Sequence, residues 1–284
     1  MHWPGRKPPL RRLHGGDRAR AIAYCEEYPV DTVFIRAGIE QSGFGVTRVI
    51  GQFDPSKRLV AAAWDQGNVV PVGFGPEGLD DLAKTLLGRW RSCSSLVGPA
   101  EQVLGLWERV SDAWGPAREV RPRQHSMVID GDPKMAGDPD VRPARIDEIQ
   151  LVFPASVAMY EEEVGYDPTS HGAAYANRVL GLVRSGHTFI RTGPARDGAG
   201  ERVIFKADVG ALAGGVAQLQ GVWVAPDLRG QGIAKAGIAA VVEQVRARLA
   251  PTVSLYVNDY NAAAVAAYRR VGFRVEGQWA TVLI

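Results

Sequence analysis

The run Val222-Trp-Val-Ala-Pro-Asp-Leu-Arg-Gly-Gln-Gly-Ile-Ala234 has the residue types and order to hold a pyrophosphate. Val222, Trp223 and Val224 read as the end of an apolar strand, and Pro226 turns the chain. Arg229, Gly230, Gln231 and Gly232 then form a loop that opens a helix at Ile233 and Ala234. The first amides of a helix have no intrahelical acceptor and stand at the positive end of the helix dipole. Glycines let that backbone approach phosphate oxygens, and Arg229 adds a permanent charge. Taken alone, the pattern also suits an ordinary strand-to-helix turn. Neither a P-loop, GxxxxGK followed by Ser or Thr, nor a three-glycine dinucleotide fingerprint is present.

A second cluster runs from Leu255-Tyr-Val-Asn258-Asp-Tyr-Asn261 through the alanine-rich stretch to Tyr268 and on to Val271-Gly-Phe273. A phenol at Tyr268 stays protonated at neutral pH and suits a thiolate leaving group as proton donor. With Arg229-x-x-Gly232-x-Ala234 after a strand ending V-x-P, and this second cluster in the right order downstream, the region resembles the GCN5-related N-acetyltransferase (GNAT) family. The resemblance implies acetyl-coenzyme A as co-substrate. It assigns Val222, Trp223, Val224, Arg229, Gly230, Gln231, Gly232, Ile233, Ala234 and Asn258 to the cofactor, Asn261 to its pantetheine arm, and Tyr268 to the cofactor's sulfur and protonation of the departing thiolate. It also implies that the strand holding Leu255 splays away from the strand ending at Val224.

The sequence departs from the family pattern where many members carry a glutamate that accepts the amine's proton. Gln218 and Gln220 stand there instead. Candidate proton acceptors are Asp208, the Glu161-Glu162-Glu163 run, and the C-terminal carboxylate of Ile284. Gln218, Gln220, Glu163 and Tyr160 are expected on the acceptor side, and the acidic run favours a cationic acceptor if it lies over the mouth of the site. The expected function is transfer of an acetyl group to a primary amine of a small molecule or protein, by direct attack in a ternary complex. A non-catalytic acyl-CoA-binding sensor is the alternative. A peptidyltransferase using aminoacyl-tRNA fits less well, because the charge gives no tRNA footprint.

The remaining composition narrows the partners. With 33 Lys plus Arg against 31 Asp plus Glu, the formal charge of +2 provides no broad field for nucleic acid or a membrane. Cys25 and Cys93 lie at no metal-ligand or CxxC spacing, so no disulfide framework, zinc site or other metal is expected, and a cytoplasmic setting fits. Oligomeric state is not legible.

The elements that must position these residues read as a mixed α/β fold, a mostly antiparallel sheet flanked by helices. A flexible basic tail is expected over 1–16 and a linker over 131–140, where Asp, Gly and Pro recur. The catalytic domain would then be 141–284. It reads as a strand at 141–144, a helix over 146–164 interrupted by Pro154, a helix at 173–184, and strands at 188–191, 202–209 and 216–224, the last broken near Gly221. A helix over 230–249, a strand at 253–257, a helix at 262–271 and a terminal strand pair follow. Residues 17–130 can be laid out in nearly the same order, which predicts two GNAT-like domains in tandem. The N-terminal one is expected to be degenerate: Gly75-Pro-Glu77-Gly-Leu-Asp80-Asp81 has acids and no arginine where a phosphate loop would lie, and Trp107 falls near the place of Tyr268.

Overall fold

The computed structural model describes residues 10–196, 198 and 200–284. These divide into two compact units: an N-terminal unit running to Met127 and including Tyr256–Tyr260 and Val275–Ile284, and a second unit of Val128–Leu255 and Asn261–Arg274.

In chain order the N-terminal half holds β1 (Leu10–Arg12), α1 (Arg18–Glu27), α2 (Val33–Val46), β2 (Val49–Phe53), β3 (Leu59–Asp65), β4 (Asn68–Val72), α3 (Pro76–Leu87), β5 (Ser95–Pro99), α4 (Ala100–Trp114) and β6 (Glu119–Ile129). Residues 1–9 of the expected tail lie outside the described residues, but 10–16 are structured. Leu10 to Arg12 pair antiparallel with Ile50 to Gln52, and a bidentate Arg11–Asp17 contact, both bonds 2.7 Å, pins the turn that follows. Apolar residues three and four apart on α3 (Leu79, Leu82, Ala83, Leu86) meet Val103, Leu106 and Val110 of α4 in one core. The helix α2 was not legible in the sequence; its buried Val33, Phe34, Ile35, Ala37 and Ile39 are interspersed with Gly38, Gly43 and Gly45.

The second half holds β7 (Arg142–Pro143), α5 (Ile149–Val164), α6 (Ala174–Arg184), β8 (Thr188–Pro194), β9 (Glu201–Ala213), β10 (Val216–Val224), α7 (Ile233–Arg248), β11 (Thr252–Asn258), α8 (Ala262–Val271) and β12 (Arg274–Leu283). The second unit orders its strands β11-β10-β9-β8-β7. Two expectations are corrected here. Pro154 does not interrupt α5, which continues through it while Val152, Ala155 and Ser156 stay buried; core packing outweighs the hydrogen bond that proline forfeits. The end of the chain is one strand, β12, instead of a pair. It runs antiparallel to β5 from Trp279↔Pro99 to Leu283↔Ser95, so it completes the N-terminal unit.

The two halves share a local plan. In each, an antiparallel strand pair leads into a short parallel one: β3–β4 then β4–β5, and β9–β10 then β10–β11. Parallel pairing covers only Asn68↔Ser95 and Val69↔Leu96 in the first case, and Val216↔Thr252 through Gln218↔Ser254 in the second.

Candidate active site

The β10–β11 ladder ends at Gln218↔Ser254, and from there β10 departs from regular pairing. Its antiparallel partner β9 takes an extra residue between Val209 and Ala211, and β10 takes one between Gln220 and Trp223. The second irregularity contains Gly221, at φ +56, and is the bulge anticipated at that break. A Cβ on Gly221 would stand 2.9 Å from Met159 Cε, 3.1 Å from Asp208 Oδ2 and 3.2 Å from Lys206 Nζ. Glycine is therefore required here by both backbone angle and close approach.

Under that bulge lies a charge pair that the sequence reading missed. Lys206 is fully buried, and its Nζ donates to Asp208 Oδ2. The signal was a lysine and an aspartate two apart in the otherwise apolar run Val203-Ile-Phe-Lys-Ala-Asp-Val209, a spacing that puts both on one sheet face. Asp208 faces Gln220 across β9–β10 and Thr188 across β8–β9. Asp208 Oδ1 and Thr188 Oγ1 are buried without a partner among the described residues, as are Gln218 Oε1 and Ser254 Oγ where the ladder ends.

Beyond Val224 the chain turns through Pro226–Leu228 into the glycine loop. Gly230 and Gly232 have φ of +79 and +85, and no atom stands within 3.4 Å of the Cβ position at either. Among the described residues the amides of Gly230, Gln231, Gly232, Ile233 and Ala234 have no acceptor, so five donors gather at the head of α7. Free donors, open space and a helix N-terminus fit a pyrophosphate. Arg229 donates from Nε to Val224 O at 3.0 Å and from Nη2 to Glu162 Oε2 at 2.5 Å. Glu162 Oε1 also accepts from Trp223 Nε1 at 3.1 Å, so this carboxylate of α5 ties the loop to β10.

Tyr268 is buried on α8, edge-on to Phe273 at 5.7 Å, and its hydroxyl has no hydrogen-bond partner among the described residues. Burial, then the charge of Glu163, pushes its phenol far above the ordinary value. Tyr160 sits in a cluster of edge-on rings with Tyr166 and Tyr175, its hydroxyl 2.8 Å from that of Tyr166. Tyr175 donates to Ser156 O at 2.7 Å, and burial, then Asp208, raises its phenol while Arg178 opposes the shift. Arg178 Nη2 donates to Gln220 Oε1 at 2.9 Å.

The structure thus gathers Gln218, Gln220, Trp223, Arg229 and Asp208 around one strand and its loop, with Glu163 acting on Tyr268. Three expected residues have protein partners of their own. Asn261 caps α8, accepting from Ala264 N at 3.1 Å. Asn258 belongs to the N-terminal unit, where its Oδ1 accepts from Gln124 Nε2 at 2.9 Å. Ile284 belongs to that unit too: its amide donates to Ser94 O at 3.0 Å and its side chain packs on the N-terminal core. Among the described residues no three His, Cys, Asp or Glu side chains could hold a metal together, and no helix is long and apolar enough to cross a membrane.

Two family models match the chain, one in each half. Residues 152–273 match the model of the acetyltransferase (GNAT) family, and residues 47–152 match that of a domain of unknown function. No curated protein matches the sequence. Among solved structures, a GCN5-related N-acetyltransferase from Sphaerobacter thermophilus is 18% identical, with a TM-score of 0.62 over 96% of this chain and 94% of its own. A Drosophila protein aligns with a TM-score of 0.64 at 14% identity, over 98% of this chain and 99% of its own. A tandem GNAT protein from the clavulanic acid biosynthesis pathway aligns with a TM-score of 0.51 at 13% identity, over 97% and 98%. The match to the acetyltransferase (GNAT) family thus lies over residues 152–273, and the mixed α/β fold is that of GNAT proteins, tandem members included.

Proposed function

We propose that the chain transfers an acetyl group from acetyl-coenzyme A to a primary amine by direct attack in a ternary complex. The observation that carries this reading is the set of free amides over Gly230–Ala234 at the head of α7, in the loop that follows β10 after that strand has parted from β11. When bound, acetyl-coenzyme A supplies an acyl group as a thioester. The loop amides and Arg229 hold its pyrophosphate, and the two left-handed glycines keep the approach clear. Tyr268, its proton held tightly by burial, stays neutral and donates to the sulfur as charge develops there.

A primary ammonium of pKa near 10.4 is less than about one part in a thousand neutral at pH 7, so its proton needs an acceptor. Asp208 is engaged by Lys206, and Glu162 by Arg229 and Trp223. The Ile284 carboxylate belongs to the other unit. We propose Glu163 because its charge reaches the Tyr268 phenol, although it too has interactions of its own.

The N-terminal unit is proposed to take no coenzyme A. The first turns of α3 carry Glu77, Asp80 and Asp81, and Asp80 is held by Arg109 at 2.6 Å. These acids stand where a pyrophosphate would need positive potential. Trp107, near the place of Tyr268 in the parallel layout, packs on the core and has no acidic proton to give.

Calorimetry with acetyl-coenzyme A, followed by thiol release against a mixed amine panel, tests this reading. One cofactor per chain, lost in Gly232→Val, and thiol release with an amine are expected. Binding without thiol release for any amine favours a sensor, and no binding at all removes the assignment.

A further inference from the structure

We propose that the acceptor carries a carboxylate beside its amine, as an α-amino acid does, and that Arg178 receives the carboxylate while the amine lies at the bulge of β10. This rests on the acetyltransferase reading above and names the substrate class of the same site. Arg178 projects from α6 and bonds Gln220, the residue immediately before Gly221, so its guanidinium is held at the edge of the bulge. A glutamine amide orients a guanidinium and leaves its charge uncancelled.

The surroundings leave that charge uncancelled as well. Among the described residues Arg178 has no carboxylate partner, whereas Arg191, Arg202, Arg229, Arg246 and Arg274 each have one. Asp208, directly opposite Gln220, gives Oδ2 to Lys206 and makes no ion pair with Arg178.

Polar atoms for the amine end lie on the same sheet face. Asp208 Oδ1 and Thr188 Oγ1, register partners across β8–β9, are buried and unpartnered. A planar guanidinium takes a carboxylate through two parallel hydrogen bonds. A polyamine would instead set a second cation against Arg178, which disfavours it.

The test compares each α-amino acid with the amine left by removing its carboxylate, on the full chain saturated with acetyl-coenzyme A. Thiol release gives kcat/KM, and calorimetry on the coenzyme A complex gives acceptor affinity. Amino acids are expected to lead, with the ratio of kcat/KM for acid over matched amine falling on the order of tenfold to a hundredfold in Arg178→Gln. Calorimetric binding of the amino acid should weaken in parallel, and Arg178→Lys should restore part of both. Arg178 is exposed, so the variant is expected to keep its fold, which its melting temperature checks. Preference for the plain amines, or an unchanged ratio in Arg178→Gln, overturns the proposal while the acetyltransferase reading stands. Absence of acetyl-coenzyme A binding removes both.

Discussion

Glu162 Oε2 accepts a hydrogen bond from Arg229 Nη2 at 2.5 Å, so the cation that begins the glycine loop already has a protein partner from α5. A pyrophosphate bound at the loop would have to compete for it. Both side chains are about half exposed, and pairs of that kind are worth at most about 1 kcal/mol. Glu162→Gln is therefore expected to tighten acetyl-coenzyme A binding roughly twofold to fivefold. Isothermal titration at low and high salt measures it. Weaker binding in the variant would show that Glu162 positions Arg229 and does not compete for it.

Tyr268→Phe removes a hydroxyl that has no protein partner among the described residues. Stability and acetyl-coenzyme A affinity should change little, while turnover falls by about a hundredfold or more. Turnover equal to the parent protein, with a verified acceptor, would take Tyr268 out of the reaction.

Lys206→Met leaves the Asp208 carboxylate buried without its counter-charge. Loss of one partner from such a pair costs about 3–5 kcal/mol, whereas replacing both by apolar residues is often close to neutral. Urea unfolding of Lys206→Met, Asp208→Leu and the double variant should show both single changes strongly destabilising and the double change recovering much of the loss. Additive losses would contradict a coupled pair.

The pH dependence of stability should show the Arg11–Asp17 contact. Hydrogen bonding from Arg11 is the largest cause holding Asp17 down to about 2 from 3.8. A carboxylate depressed in the folded state stabilises fully above its unfolded value and loses that contribution as pH falls through the folded one. The contribution is thus present above about pH 4 and disappears between about 4 and 2. Arg11→Met should flatten the acid limb of the stability curve in that window. An unchanged curve would mean that the contact does not persist in solution.

The glycine loop and α8 were legible because their determinants are local. A strand that turns at Pro226 and enters a helix through Gly230 and Gly232 leaves free amides whatever surrounds it, since the helix supplies no acceptor to its own first turn. The alanine-rich run 262–271 and the break at Gly221 are likewise written in propensity and backbone freedom, and the elements fall there.

Strand partners and side-chain partners could not be read this way, because they join residues far apart in the chain. An apolar run ending at Ile284 says strand, but only the register Trp279↔Pro99 puts β12 beside β5, and with it Ile284 in the N-terminal unit. Asn258 and Asn261 look alike in sequence; tertiary structure gave one to Gln124 and the other to the cap of α8. Sequence placed Glu161 to Glu163 at a helix end, and the packing of α5 against β10 turned Glu162 to Trp223 and Arg229. The chain by itself determined where a phosphate could dock. Burial and long-range pairing, which decide what charges are already matched, determined which groups are left for an acceptor.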